Sequence, residues 1–238
     1  MRACTITVRA GSKGVPGKNW RVLAGLPLFA HSVGHAANSG LFDRVIVTSD
    51  SEEVLSSAED FGATDLVVRP PELASDSAGK VPAIVHAVIA VEERVGEKFH
   101  TVVDLDATSP LRITADIVGA VSLLETQGLE SVITGAEAHR SPYFNLVEVD
   151  AETGFVGLSK TLSAPVLRRQ DAPHAYDMNA SIYVWNRDAL VREAKVFYPT
   201  TKLYEMPVER SHDIDSELDF QIVSMLMDAR EGADDGAL

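Results

Sequence analysis

Short β-branched runs alternate with segments of helical period through the first half of the chain, and this rhythm limits the fold more than any other feature. Cys4–Val8, Arg44–Thr48, Asp65–Val68 and Thr101–Leu105 are apolar and of strand length. Between the first two, Leu28–Asn38 has one apolar face and ends near Gly40. Glu52–Phe61 is a second helix, closed by Gly62, and Pro82–Val95 carries Ile84, Val88, Val91 and Val95 at helical spacing. Ala115–Thr126 follows the fourth strand as a helix that Thr114 is placed to N-cap. Apolar residues every three or four positions mark one buried face of a helix, and short β-branched runs mark buried strands. Strands alternating with helices predict βαβ units, hence an α/β fold with a mostly parallel sheet.

The rhythm then breaks. Ser131–Ala136 is another strand, but Tyr143–Val149, Phe155–Leu158 and Ser181–Trp185 are strand-like with no clear helix between them, and Asp150–Gly154 reads as a hairpin connection. The region 140–180 is therefore expected to leave the main sheet as a β-rich flap or arm. Leu203–Met206 is a late short strand, and Leu218–Met227 a docking helix with Leu218, Ile222, Met225 and Leu226 on one face. The polar tail from Glu231 to Leu238 is expected to fray. At 238 residues with 45% hydrophobic content, one domain with a large core is the expectation. A single cysteine, Cys4, excludes an intrachain disulfide. No secretory signal and no membrane-length apolar run is evident, so the sequence predicts a cytoplasmic protein without a membrane partner.

A net charge of -14 repels nucleic acid, so none is expected as partner. Any phosphate-bearing ligand needs a local basic pocket. The loop after the first strand supplies one: Arg9, Lys13 and Lys18 add three cations among Gly11, Gly14 and Gly17. Ligands of open α/β sheets bind at the carboxyl ends of strands, where this loop lies. Glycines let backbone N–H groups approach and cradle an anion. The spacing is neither a Walker A loop nor G-x-G-x-x-G.

Two acidic segments complete the chemistry. Asp213 and Asp215 are two apart, so an extended backbone puts both carboxylates on one side. Hard oxygen ligands in that arrangement suit Mg²⁺, which takes one or two carboxylates and completes its shell with water and phosphate oxygens. Asp215 or Ser216 serves equally as a cap for the helix that follows. Asp104-Leu105-Asp106-Ala107-Thr108 matches the D-x-D-x-T pattern of haloacid-dehalogenase-type phosphatases. In that reading Asp104 is the phosphoryl-accepting nucleophile and Asp106 its acid/base partner. Such enzymes carry the motif after their first strand; here it follows the fourth and leaves the cationic loop unemployed.

Taken in order, the motifs resemble those of the acylneuraminate cytidylyltransferases. They are R-x-G-S-K-x-x-x-x-K-N at Arg9–Asn19, G-x-P-L at Gly25–Leu28, T-D-S or S-D-S at Thr48-Ser49-Asp50-Ser51 and R-P-x-x-L-A-x-D at Arg69–Asp76. T-S-P-L-R follows at Thr108–Arg112, R-Q at Arg169-Gln170, N-x-x-I-Y at Asn179–Tyr183 and D-I-D-x-x-x-D at Asp213–Asp219. Each is weak alone; the ordered set spans nearly the whole chain. The resemblance implies a Rossmann-like three-layer nucleotidyltransferase fold, with 1–238 as one cytidylyltransferase domain and 140–180 as a β-rich dimerisation arm. It implies transfer of CMP from CTP to the anomeric hydroxyl of a nine-carbon 2-keto sugar acid, with pyrophosphate released and Mg²⁺ required. By motif, Arg9 and Lys18 bind the triphosphate, Gly11 and Ser12 assist, and Asn19 and Ser75 lie on the nucleotide side. Arg169, Gln170 and Asn179 face the sugar. Asp213 and Asp215 hold the metal, and either is a candidate to deprotonate the sugar hydroxyl. A homodimer is implied as well.

One position departs from the pattern. Most sialic-acid members have Q-P-T-S-P-L-R, whereas this chain begins the segment Asp106-Ala107. A carboxylate in place of the amide removes donors and adds charge. It is expected to repel an extra acidic group and to accept hydrogen bonds from hydroxyl or N-acyl groups. With Tyr143–Leu146 and Tyr176–Ser181, the chain is similar to the branch that activates legionaminic acid.

Overall fold

A computed structural model describes residues 1–11, 15, 17–75 and 78–235. Ser12, Lys13 and Gly14 of the cationic loop, and Asp76 of the R-P-x-x-L-A-x-D motif, lie outside the described residues. In chain order the strands are β1 Arg2–Val8, β2 Val22–Leu23, β3 Leu26–Pro27, β4 Arg44–Ser49, β5 Asp65–Val68 and β6 Thr101–Leu105. They continue with β7 Ser131–Glu137, β8 Val147–Val149, β9 Val156–Leu158, β10 Tyr176–Asn186 and β11 Lys202–Glu205. The helices are α1 Leu28–Asn38, α2 Glu52–Ala58, α3 Pro71–Ala74, α4 Lys80–Val95, α5 Thr114–Gln127, α6 Arg187–Arg192 and α7 Glu217–Asp235.

Seven strands form one sheet in the order β11-β7-β10-β6-β1-β4-β5. All neighbours run parallel except β10, which is antiparallel to both β6 and β7. The chain leaves β1 toward β4 and β5, then crosses to β6 on the opposite side of β1. The reversal puts a crevice at the carboxyl end of β1, where open α/β sheets bind ligands.

Alternation along the strands builds a core on each face of the sheet. Cys4, Ile6 and Val8 of β1 meet Phe29 and Val33 of α1, Val54 of α2 and Ile117 and Val121 of α5. Ala3 and Ile46 face the other way, onto Ile84, Val88 and Val91 of α4 and Leu190 of α6. Three layers result. Burying each of these large aliphatic side chains contributes about 1.5–3 kcal/mol. A third cluster, Leu23, Leu28, Leu111, Ile214, Phe220 and Val223, docks α7 beside the carboxyl edge.

Several boundaries differ from the sequence expectation for local reasons. The second helix ends at Ala58 and finishes as a 3₁₀ turn, Glu59–Phe61, before Gly62 at φ 105°. α4 starts two residues before Pro82, whose missing N–H is harmless in a first turn. Thr114 is the first residue of α5 and not its cap: Ile113 is the N-cap, and the Asp116 carboxylate accepts its N–H at 3.0 Å. Within the expected strand Tyr143–Val149 only β8 is extended. The Ser141 carbonyl instead accepts the N–H groups of Phe144, Asn145 and Leu146 in a tight turn. The arm is therefore a three-residue β8–β9 hairpin on irregular chain. α7 continues through the expected frayed start, to Asp235.

Candidate active site

Two clefts open at the carboxyl edge. The first, about 440 Å³, is lined by Arg9, Gly11, Lys18 and Asn19 on one side and by Arg69, Ser75, Lys80, Asp106, Thr108 and Asp215 on the other. The second, about 760 Å³, is lined by Ala136, His139, Arg169, Asp177, Asn179, Ser211, His212 and Asp213. A smaller hollow of about 230 Å³ adjoins it under the arm and holds Gln170, Arg140 and His174, with Arg169 on its wall too. Of the residues expected at the nucleotide, Arg9, Gly11, Lys18, Asn19 and Ser75 all reach the first cleft. Of those expected at the sugar, Arg169 and Asn179 reach the second, while Gln170 lines the adjoining hollow and Asp106 lines the first.

The loop after β1 is held by its own neighbours. Asn19 donates from Nδ2 to the Arg9 carbonyl at 3.0 Å, and the Ala10 N–H reaches the Asp50 carboxylate at 2.8 Å. Gly17 has φ 64°, a left-handed turn that a side chain would strain. It swings Lys18 toward the acidic segment, where Nζ donates to the Ile214 carbonyl and lies 3.2 Å from Asp215 Oδ1. Arg69 adds a second kind of cation. It is buried, its guanidinium donates to the Thr48 carbonyl, and its Nε is buried without a partner. Burial pushes the Arg69 pKa down, and the carboxylates of Asp50 and Asp104 oppose that.

Under the floor of the first cleft runs a polar chain. Thr5 Oγ1 donates to Asp104 Oδ1 at 2.8 Å, and Lys80 Nζ lies 2.6 Å from Asp104 and 2.7 Å from Asp106. Burial opposes the Lys80 charge, but the two carboxylates outweigh it and hold the ammonium above its usual pKa. Burial likewise raises Asp106, yet Lys80 and two hydrogen bonds from Thr108 win and hold it well below the carboxylate range. Asp106 is thus a fixed anion with a fixed counter-ion. For Asp104 burial prevails and its pKa is raised despite Lys80. Asp104 is 0% exposed, so it has no access to a phosphoryl donor, which removes the phosphatase assignment.

Other motif residues hold these segments together. Arg112, 1% exposed, bonds Ser181 Oγ, Ser32 Oγ and the Asp106 carbonyl, so it joins the loop after β6 to α1 and β10. The Thr108 carbonyl accepts the Ile214 N–H at 2.9 Å and pins the acidic segment. Ser216 and Asp219 exchange hydrogen bonds at the start of α7, the reciprocal pattern of a capping box. Ser216 is therefore the cap, and Asp215 remains exposed beside Lys18. Asp213 is half-buried; burial first, then the charge of Asp215, raises its pKa. Lys80, Arg69, Asp50, His139, Asp177 and His212 carried no role in the sequence reading. Arg69 and Asp50 lie inside the motifs Arg69–Asp76 and Thr48–Ser51, whereas nothing local distinguishes Lys80.

Among known proteins, a family model described as Cytidylyltransferase matches residues 3–229. The "Post-translational flagellin modification protein B" of Campylobacter coli is 42% identical over 94% of both chains. The "CMP-N,N'-diacetyllegionaminic acid synthase" of Campylobacter jejuni is 40% identical over 94% of both chains. Among solved structures, a CMP:2-keto-3-deoxy-manno-octonic acid synthetase complexed with CTP superposes with a TM-score of 0.70. It covers 96% of this chain and 99% of its own at 16% identity, a likeness of fold. The ordered motifs, the sheet with its cationic edge loop and a family match across almost the full length agree: this chain belongs to the cytidylyltransferase family.

Proposed function

We propose that this enzyme transfers CMP from CTP to the anomeric hydroxyl of a nine-carbon 2-keto sugar acid of the legionaminic or N-acetylneuraminic type, releasing pyrophosphate. One observation carries the reading: the two aspartates of a single three-residue segment line different clefts, Asp215 the first and Asp213 the second. A segment shared in this way brings the two substrates together at the point of reaction. Arg9, Lys18 and Arg69 set positive charge around the first cleft for the triphosphate, in a chain of net charge -14. The second cleft takes the sugar acid, with Arg169 placed for its carboxylate.

Asp213 and Asp215 fit a hard divalent cation such as Mg²⁺. Burial first, then the charge of Asp215, raises the Asp213 pKa, and a bound cation would oppose both. Among the described residues no cluster of three or more carboxylate, His or Cys ligands occurs, so water and phosphate oxygens would have to complete the shell of an ion held there. An ion held by these two carboxylates would offset phosphate charge. The sugar hydroxyl oxygen forms the new bond to the α-phosphorus, the bond to pyrophosphate breaks, and the hydroxyl proton passes to a carboxylate. Asp213, half-buried at the edge of the second cleft, is placed to take that proton.

Choice among sugars falls mainly to the second cleft, because the charge on Asp106 is balanced by Lys80 on the nucleotide side. The Campylobacter jejuni relative favours legionaminic acid. We propose a homodimer as well, on the support of apolar side chains along the arm: Phe155 is 77% exposed and Leu167 82%. Asp213→Ala is expected to abolish Mg²⁺-dependent pyrophosphate release while circular dichroism stays native. Full turnover in that variant removes Asp213 from the site.

A further inference from the structure

Asn179 stands at a break in the sheet. Between Met178 and Tyr183 the β10 register against β7 slips: Met178 pairs with Gly135 and Tyr183 with Ile133, so extra residues of β10 bulge out. Ala180 in the bulge has φ 51°, a left-handed backbone that a non-glycine residue holds only where its surroundings impose it. The bulge turns Asn179 inward at 6% exposure, beneath the second cleft.

An asparagine side chain offers two acceptor sites and two donors. All are used inside the chain. Oδ1 accepts from Thr134 Oγ1 at 2.7 Å and from the Ser181 N–H at 3.1 Å. Nδ2 donates to Ser211 Oγ at 2.9 Å and to the Met206 sulfur at 3.4 Å. The amide cannot be reversed without loss, since Ser181 presents an N–H to the oxygen and Ser211 spends its own hydroxyl proton on the Pro207 carbonyl at 2.9 Å. One end of the amide therefore grips β7 and β10, and the other grips the segment two residues before Asp213. Beyond Asp213 the segment is pinned again, by the Ile214 N–H on the Thr108 carbonyl.

We infer that Asn179 is a positioning residue: it contacts no substrate, and through Ser211 it fixes where Asp213 projects between the two clefts. The inference rests on the proposed role of Asp213 and assigns Asn179 differently from a sugar contact.

The test compares Asn179→Ala, Ser211→Ala, their double variant and Ser211→Thr. Amide hydrogen exchange of the peptide around 207–216 is read first, in the ligand-free protein. Both single alanine variants are expected to exchange faster there, the double variant no faster than either single, and Ser211→Thr, which keeps the acceptor, at the wild-type rate. In turnover, both alanine variants are expected to shift the Mg²⁺ activation midpoint upward about tenfold, as loss of an outer support does, with the sugar KM unchanged. A raised sugar KM in Asn179→Ala with unchanged exchange and midpoint overturns the inference, as do additive effects in the double variant. Should Asn179→Ala fail to fold, Ser211→Ala alone decides: native exchange and a native midpoint refute the tether. Exchange needs no substrate, so absence of pyrophosphate release from wild type would refute the proposed reaction and leave the tether to be judged separately.

Discussion

Removing the Lys80 ammonium leaves Asp104 and Asp106 without the counter-ion they share at 2.6 and 2.7 Å. Breaking a buried pair by deleting one partner costs about 3–5 kcal/mol, and a Lys80 side chain 30% exposed puts the loss near the lower end. Lys80→Met is therefore expected to lower the urea midpoint by that equivalent, and an unchanged midpoint would show that the pair is solvated. His35 gives a pH test. Burial first, then Arg112, His31 and Arg230, lowers its pKa from 6.5 to about 3. Between those values the unfolded chain binds a proton that the folded chain refuses, so stability is complete above the upper value and falls as pH drops toward the lower. His35→Leu, which also removes a buried Nδ1 without a partner, is expected to lessen the fall by about 1.4 kcal/mol per pH unit. Urea titrations across the window with parallel slopes in both proteins would contradict it. That Arg9, Lys18, Asp213 and Asp215 line the clefts was legible because cations among glycines and paired aspartates stand out locally. Lys80 was not, since its role arises only when α4 starts beside the end of β6.

The strands and helices of the sheet were legible from apolar period, and misread boundaries trace to particular side chains. Asp116 competes with Thr114 at the start of α5, and the Ser141 carbonyl gathers N–H groups where a strand was expected. The bulge in β10 had no local signal, because Ala180 is an ordinary residue in an unusual conformation. Gly135 is the β7 partner of that bulge, and a Cβ there would stand 2.7 Å from the Asp177 carbonyl. Gly135→Ala is expected to cost about 1–3 kcal/mol, as overpacking does, and thermal unfolding at the wild-type temperature would contradict it. At the arm, Val149, Phe155 and Val156 are 66%, 77% and 64% exposed. Light scattering is expected to give twice 25.6 kDa for the wild type and 25.6 kDa for Val149→Asp/Phe155→Asp. A wild-type particle of 25.6 kDa would contradict the dimer.

Across the whole molecule, an acidic chain sets Arg9 and Lys18 where β1 ends, and a late acidic segment returns to meet them. That return is long-range: Lys18 meets Ile214 and Asp215 because the Thr108 carbonyl pins the Ile214 N–H and α7 docks through Phe220 and Val223 onto Leu23, Leu28 and Leu111. Ordered motifs made the pairing legible as a resemblance, while its geometry, two clefts joined by Asp213 and Asp215, required the fold. No helix of the described residues is long and apolar enough to cross a membrane. The central claim is tested by incubating the enzyme with CTP, Mg²⁺ and, separately, legionaminic, N-acetylneuraminic, pseudaminic and Kdo acids, and measuring pyrophosphate. The expected result is release with the nine-carbon acids, fastest with legionaminic acid. Preferred turnover of N-acetylneuraminic acid would contradict the legionaminic assignment, and no pyrophosphate with any of the four would contradict the proposed reaction itself.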